Sequence, residues 1–226
     1  MLVVLEGLDG AGKSTQVKLL REYLEQRCGA LEYIHFPRYE APVYGDLISR
    51  FLRGEFGDNT QVHPQLVALL FAEDRHGAAP QMKAALAAGK TVLLDRYVYS
   101  NIAYQCAKLP EGPARGRLRD WIFNTEYGDF GLPVPDLNLF LDVPIGFVEE
   151  SLSRQREGSD RSYLDGAHDI HEASITFQRD VRSIYLAETQ RDSRFLRIDC
   201  SDAQGAMLPP ADIFTKVRQT VDPFLS

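Results

Sequence analysis

Five short, mainly apolar runs punctuate the chain at Leu2–Leu5, Leu31–Phe36, Thr91–Asp95, Leu137–Val143 and Phe195–Asp199. An unbroken run such as the first suits a strand buried on both faces, the normal situation in a parallel sheet covered by crossover helices. Between the runs the apolar positions take a helical spacing. Val17, Leu20 and Leu24, with Leu19 and Tyr23 beside them, lie on one such stripe. Further helices are predicted over Tyr44–Arg53, Pro64–Ala87, Tyr97–Lys108, Ile145–Glu157, Asp169–Arg191 and Ala211–Val221. Strands alternating with helices in this way predict an α/β fold built on a five-stranded parallel sheet. Pro110–Arg119 and Arg154–Gly166 break the pattern and read as surface excursions. No repeat, low-complexity tract or linker divides the 226 residues, so one domain is expected over 1–226.

The junction after the first run carries the most specific chemistry. Gly7-Leu-Asp-Gly-Ala-Gly-Lys13-Ser14 fits G-x-x-x-x-G-K-[ST] without a mismatch, between a strand and a helix. Glycines let the backbone wrap an anion, and successive N–H groups at the helix N-terminus point at it. Lys13 adds a mobile positive charge for β- and γ-phosphates, and the Ser14 hydroxyl can ligate Mg²⁺. A nucleoside-triphosphate site in a P-loop NTPase fold is therefore expected.

Composition narrows what receives the phosphate. A net charge of −7 speaks against a nucleic-acid binder, which would show a basic face. No apolar run approaches the ~18 residues of a membrane span, and no basic stretch or cleavage pattern precedes Leu2 to suggest a secretory signal. Cys28, Cys106 and Cys200 are odd in number and far apart, without a C-x-x-C pair or histidine companions. This fits buried thiols in a reducing cytoplasm rather than disulfides or zinc. The five histidines show no partner pattern and read as structural or surface residues.

In open α/β sheets ligands sit beyond the carboxyl ends of the strands. Asp95 ends its strand as an acid after an apolar run, where a carboxylate can hold a metal through water. Arg96 follows with a planar fork suited to phosphate oxygens. Arg38 and Tyr39, after Pro37, form a possible second phosphate clamp, although such a pair is often surface decoration. Phe71 and Arg75 share a helical face, suited to stacking a base and bonding its carbonyl, while the Phe alone would more often be core. Asn101, Tyr104 and Gln105 share another, and Asn offers both a donor and an acceptor to a base edge. Arg154, Arg156 and Arg161 surround a flexible Gly158. They read as a mobile lid over about 154–166 that neutralises transferring charge and excludes water, against the plainer reading of a solvated charge run. Asp169 and Glu172, expected one helical turn apart, face the metal or the lid.

The ordered set Glu6-Gly-Leu-Asp9-Gly-Ala-Gly-Lys-Ser-Thr, Phe36-Pro-Arg-Tyr39, Phe71-Ala-Glu-Asp-Arg75, Asp95-Arg-Tyr97, Ser100-Asn101 and the arginine-rich lid closely resembles the thymidylate kinases. These P-loop kinases move the γ-phosphate of ATP to dTMP, giving dTDP for dTTP synthesis. The resemblance runs from Met1 to about Leu186, with a looser tail. It implies that Gly7, Leu8, Asp9, Gly10, Ala11, Gly12, Lys13, Ser14 and Thr15 hold ATP. Asp9, Phe36, Arg38, Tyr39, Phe71, Arg75, Arg96, Ser100, Asn101 and Tyr104 would surround dTMP. Phe71 would stack on thymine, Arg75 and Asn101 would read its edge, and Tyr104 would lie against the deoxyribose. Lys13, Arg96 and Asp9 would act in catalysis with a lid arginine (Arg154, Arg156 or Arg161). Members that carry this arginine inside the loop place it after the Asp, where this chain has Gly10. Mg²⁺ would engage Ser14, Asp95, Asp9 and Glu172. The tail near Asp199–Asp202 would border the adenine, and a homodimer would be the working form. The rival readings are a deoxynucleoside kinase, which would carry an acid in place of the Arg38/Arg96 cluster, another P-loop monophosphate kinase, and a nucleotide switch. A GTP switch would usually carry N-K-x-D, which is absent.

Overall fold

The computed structural model describes residues 1–154, 163–165, 169–172 and 174–225. Its five strands are β1 (Leu2–Gly7), β2 (Leu31–His35), β3 (Thr91–Asp95), β4 (Leu137–Asp142) and β5 (Phe195–Asp199). They form one parallel sheet in the order β2-β3-β1-β4-β5. The three inner strands are buried at every position, whereas the edge strands β2 and β5 are only partly so. That is why the inner runs read as continuous apolar stretches and the edges carry polar residues. The expected α/β fold and all five strands are present.

The helices are α1 (Lys13–Cys28), α2 (Tyr44–Leu52), α3 (Pro64–Ala87), α4 (Val98–Cys106), α5 (Pro113–Phe123), α6 (Ile145–Ser153), α7 (Ile175–Thr189) and α8 (Pro210–Val221). α1 packs with α8, while α4 packs between α3 and α7. A continuous core fills both sides of the sheet. A smaller cluster of Ile48, Phe51, Leu52 and Val67 lies apart from it, with Tyr39, Phe71 and Tyr163 packed against it.

Two expectations are corrected. Pro110–Arg119 is not an irregular excursion, because α5 begins at Pro113 and runs directly into a π-helical turn at Asn124–Asp129. Its buried stripe is only Leu118 and Ile122, four apart, and the arginines around it (Arg115, Arg117 and Arg119) mask it in the sequence. The helix expected from Asp169 starts only at Ile175, where Ser174 caps it by accepting from the Phe177 N–H. Asp169 to Glu172 forms a turn, since Asp169 Oδ1 accepts from the His171 N–H and offers the backbone a non-helical alternative.

Candidate active site

β1 delivers Gly7 to the carboxyl edge of the sheet, and α1 starts six residues later at Lys13. Gly12 caps α1 at φ 70° without a side-chain bond, and no acid occupies the first helical turn. The helix N–H groups are thus left to an anion. Gly10 stands at φ 75°, and a Cβ there would lie 3.1 Å from Ser151 Oγ and 3.3 Å from Leu152 Cδ2 of α6. A larger residue at this loop position would crowd the Ser151 and Leu152 side chains as well as adopt a left-handed backbone. Lys13 is ion-paired with Asp95 at the end of β3, whose second oxygen lies 3.0 Å from His35 Nδ1. Burial alone would raise the Asp95 carboxyl, but Lys13 and His35 overcome it and hold Asp95 well below the usual carboxylate range.

Arg96 joins this loop to a neighbouring cavity. It donates from Nη1 to the Gly7 carbonyl (2.9 Å) and from Nη2 to Asp9 Oδ1 (2.6 Å), and it adopts φ 67°, unusual for a non-glycine residue. The segment is pinned from beneath by Glu6, fully buried within β1. Its Oε1 accepts from the Tyr97 N–H (2.9 Å) and Ser100 N–H (3.1 Å), and its Oε2 from the Ser100 and Tyr185 hydroxyls. Burial pushes the Glu6 carboxyl above its ordinary value despite these donors.

The cavity is lined by Asp9, Phe36, Tyr39, Phe71, Arg75, Arg96, Ser100, Asn101 and Tyr104. At one end Arg75 donates from Nε and Nη2 to the two oxygens of Glu126 (2.5 and 2.7 Å), a pair sealed from solvent. Glu126 lies on the π-helical turn, a rare geometry that is frequent at functional sites. Asn101 Nδ2 donates to Glu126 Oε1 and to the Ala68 carbonyl, leaving its buried Oδ1 without a protein partner. This end presents an acceptor beside a guanidinium, next to the Phe71 ring.

Tyr163, Asp169 and His171 also line the cavity. Tyr163 stacks on Tyr39 at 4.0 Å and donates to Asp169 Oδ2 (2.6 Å). Burial, with the Asp9 charge second, raises the Asp169 carboxyl to about 7. Between pH 4 and 7 the native state therefore holds a proton that the unfolded chain has lost. The resulting stability is present in full below the unfolded carboxylate value and disappears as pH rises through about 7. Asp169→Asn should accordingly stand in a fixed relation to wild type below about pH 4 and gain on it steadily between about pH 4 and 7 in urea unfolding. A difference independent of pH would contradict the raised carboxyl.

The thymidylate kinase family model matches residues 5–207. The chain belongs to the thymidylate kinase family. It is 34% identical over 218 residues to thymidylate kinase of Mycobacterium tuberculosis, covering 94% of this chain and 99% of the relative. It is 37% identical over 191 residues to a probable thymidylate kinase of Thermococcus kodakarensis, covering 82% of each. A solved thymidylate kinase structure from Candida albicans aligns over 99% of this chain and 91% of its own, with a TM-score of 0.73 and 28% identity.

Of the acceptor residues expected from resemblance to this family, the structure brings all but Arg38 onto the cavity wall. Arg38 instead donates from its backbone N–H and Nε to Asp74, and from Nη2 to the Asp74 carbonyl, lying 6.0 Å over the Phe36 ring. Of the lid arginines, Arg156 and Arg161 lie outside the described residues, and Arg154 is exposed and ion-paired with Glu150. Among the described residues no three acidic, histidine or cysteine side chains gather as a metal cluster. Asp9 is engaged by Arg96 and Gln178, Asp95 by Lys13 and His35, and Ser14 is exposed at the start of α1.

Of the five histidines, read as structural or surface, His171 is buried and lines the cavity. Sequence reasoning also passed over Glu126, Gln178 and Tyr163. The one usable signal was for Glu6, an acid inside a strand otherwise apolar on both faces.

Proposed function

We propose that this thymidylate kinase family member transfers the γ-phosphate of ATP to dTMP, giving dTDP. The observation that carries the reading is Arg96, which spans the phosphate loop at Gly7 and Asp9 while lining the acceptor cavity. A guanidinium there faces both the donated and the accepting phosphate and can offset charge on each. Phe71 offers a stacking face, and Asn101 Oδ1 is a free acceptor for a pyrimidine N–H. A dTMP phosphate oxygen, already ionised at neutral pH, attacks the γ-phosphorus in line, so neither a general base nor a covalent enzyme intermediate is required.

Mg²⁺ bound with ATP would neutralise phosphate charge, with Ser14 as a direct oxygen ligand and Asp95 acting through water. These hard donors suit that ion. Asp9 and Glu172 would border the same ion. The lid arginine completes the charge set, in keeping with the closure of the Gly10 position by α6. Family membership further supports a homodimer, a cytoplasmic setting, and an adenine site near Asp199–Asp202. Among the described residues no helix is long and apolar enough to cross a membrane.

ADP release should be measured with ATP, Mg²⁺ and either dTMP or thymidine. Turnover with dTMP far above thymidine is expected. Faster turnover with thymidine would instead support a deoxynucleoside kinase and remove the phosphate-clamp role of Arg96.

A further inference from the structure

A second cavity, of about 270 Å³, shares no lining residue with the acceptor cavity. It sits beside the amino ends of β4 and β5, whereas the phosphate loop leaves the carboxyl end of β1. Asn138 is the second residue of β4 and Arg194 immediately precedes β5, and the Asn138 N–H donates to the Arg194 carbonyl (2.7 Å). The phosphate transfer outlined above uses none of these walls.

One wall is aromatic. Tyr99 comes from α4, Phe123 from the end of α5 and Tyr127 from the π-helical turn. Phe123 meets the Tyr99 ring edge-on (5.6 Å, 83°) and lies 21° from parallel to Tyr127 at 5.8 Å. Arg119 and Arg194 add positive charge to the lining. The Arg119 fork is occupied by Glu188 and Asp120. Among the described residues Arg194 meets only Asp192, through Nε at 3.4 Å, and its side chain is 53% exposed. Its terminal nitrogens are therefore available to an anion. Asp192 is itself satisfied, by the Arg194 N–H (2.9 Å) and the Tyr99 hydroxyl (2.8 Å).

Asn138 supplies the discriminating group. It is 2% exposed and lines the cavity, and its side-chain amide makes no hydrogen bond among the described residues. A buried amide without partners is destabilising and calls for an explanation. A half-turn of the amide exchanges donor for acceptor, so whichever atom meets the cavity is free for a ligand.

Together these groups suit a planar ring with a hydrogen-bonding edge and an anionic substituent. Aromatic side chains receive the ring, an amide pairs with a base edge, and a guanidinium grips phosphate. The volume lies just under the ~300–1,000 Å³ of usual ligand pockets, which favours a one-ring base over a purine. We propose that this cavity is a second nucleotide site, taking a pyrimidine nucleoside phosphate with its base against the aromatic wall and Asn138 and its phosphate at Arg194. The site adjoins the acceptor cavity through two elements. Tyr127 follows Glu126, which holds Arg75, and Tyr99 precedes Ser100 and Asn101 on α4. Occupancy should therefore alter the KM for dTMP.

The test first saturates both substrate sites with dTMP and β,γ-methylene ATP with Mg²⁺, then titrates CMP calorimetrically. The sole tryptophan, Trp121, stands on α5 between Arg119 and Phe123 and gives a local fluorescence readout. One further equivalent of CMP should bind, with a Kd below about 1 mM. Arg194→Ala should weaken it about tenfold or more, and Asn138→Leu about three- to tenfold. The exposure of Arg194 keeps the first variant folded, and its turnover without CMP should equal that of wild type. Saturating CMP should shift the dTMP KM about fivefold or more in wild type and not in Arg194→Ala. No CMP binding by about 10 mM, or binding unchanged in both variants, would overturn the proposal. Inorganic phosphate bound as tightly as CMP would mark an anion contact only and overturn it too. Binding without a KM shift would overturn the link to the acceptor cavity. Failure of dTMP and the ATP analogue to bind would instead overturn the functional reading of the first cavity.

Discussion

Lys13→Ala is expected to lower kcat by about 10²–10³-fold, the usual loss when one preorganised charge-stabilising donor is removed from a transfer site. The transition state spreads negative charge over the γ-phosphoryl oxygens, and Lys13 is the cation that opens α1 beside the loop backbone. Its partner in the structure is Asp95, so the amine must exchange a carboxylate for phosphate when ATP arrives. The affinity for dTMP should change little, because Lys13 does not line the acceptor cavity. Steady-state kinetics over both substrates would check this, and a fall below tenfold would remove Lys13 from the chemistry. Asp95→Asn in the same background controls for the unpaired carboxylate that the lysine leaves behind. A loss of similar size should appear at one of Arg154, Arg156 and Arg161 when each is replaced by alanine. Near-normal rates at all three would sink the lid-arginine assignment.

The largest loss of stability should come from Glu126→Ala. Arg75 and Glu126 are 3% and 0% exposed at their side chains, and they meet through a two-pronged bond. Removing one partner of such a pair strands a buried charge and typically costs about 3–5 kcal/mol. Urea unfolding would measure it, and a cost below about 1 kcal/mol would mean that water or a neighbour replaces the carboxylate. The same change frees Asn101 Nδ2, which shares Glu126 Oε1, so the dTMP KM should rise even where the variant remains folded. Glu126→Gln keeps the shape but loses the charge, and should fall between the alanine variant and wild type.

These two residues also show where sequence reasoning reached and where it stopped. The placement of Lys13 at the start of α1 was legible because everything that fixes it is local: a strand before it, glycines beside it, a helix after it. The strands were legible for a similar reason, since burial on both faces writes itself as an unbroken apolar run. Glu126 is 51 residues from Arg75, and its inward aim depends on a π-helical turn that leaves no periodic signature. Asp169 and His171 were misread because acids and a histidine ahead of an apolar stripe look like the first turn of a helix. The side-chain bond from Asp169 to the His171 N–H decided otherwise. Arg38, expected at the acceptor phosphate, is held in this structure by the buried acid Asp74, 36 residues away, a contact that no local pattern in the sequence records.

Glu6 lies under all of this. One carboxylate receives the Tyr97 and Ser100 amides and the Ser100 and Tyr185 hydroxyls, and so locks the strand that feeds the donor loop to the segment that aims Arg96. The spacing between the two substrates is in that sense set once, below both. Engineers who retune the acceptor pocket for an unnatural nucleotide can alter the wall at Phe71 without touching this carboxylate. Any redesign that reaches α4's first turn will also shift the ATP side, and donor and acceptor preferences should then drift together.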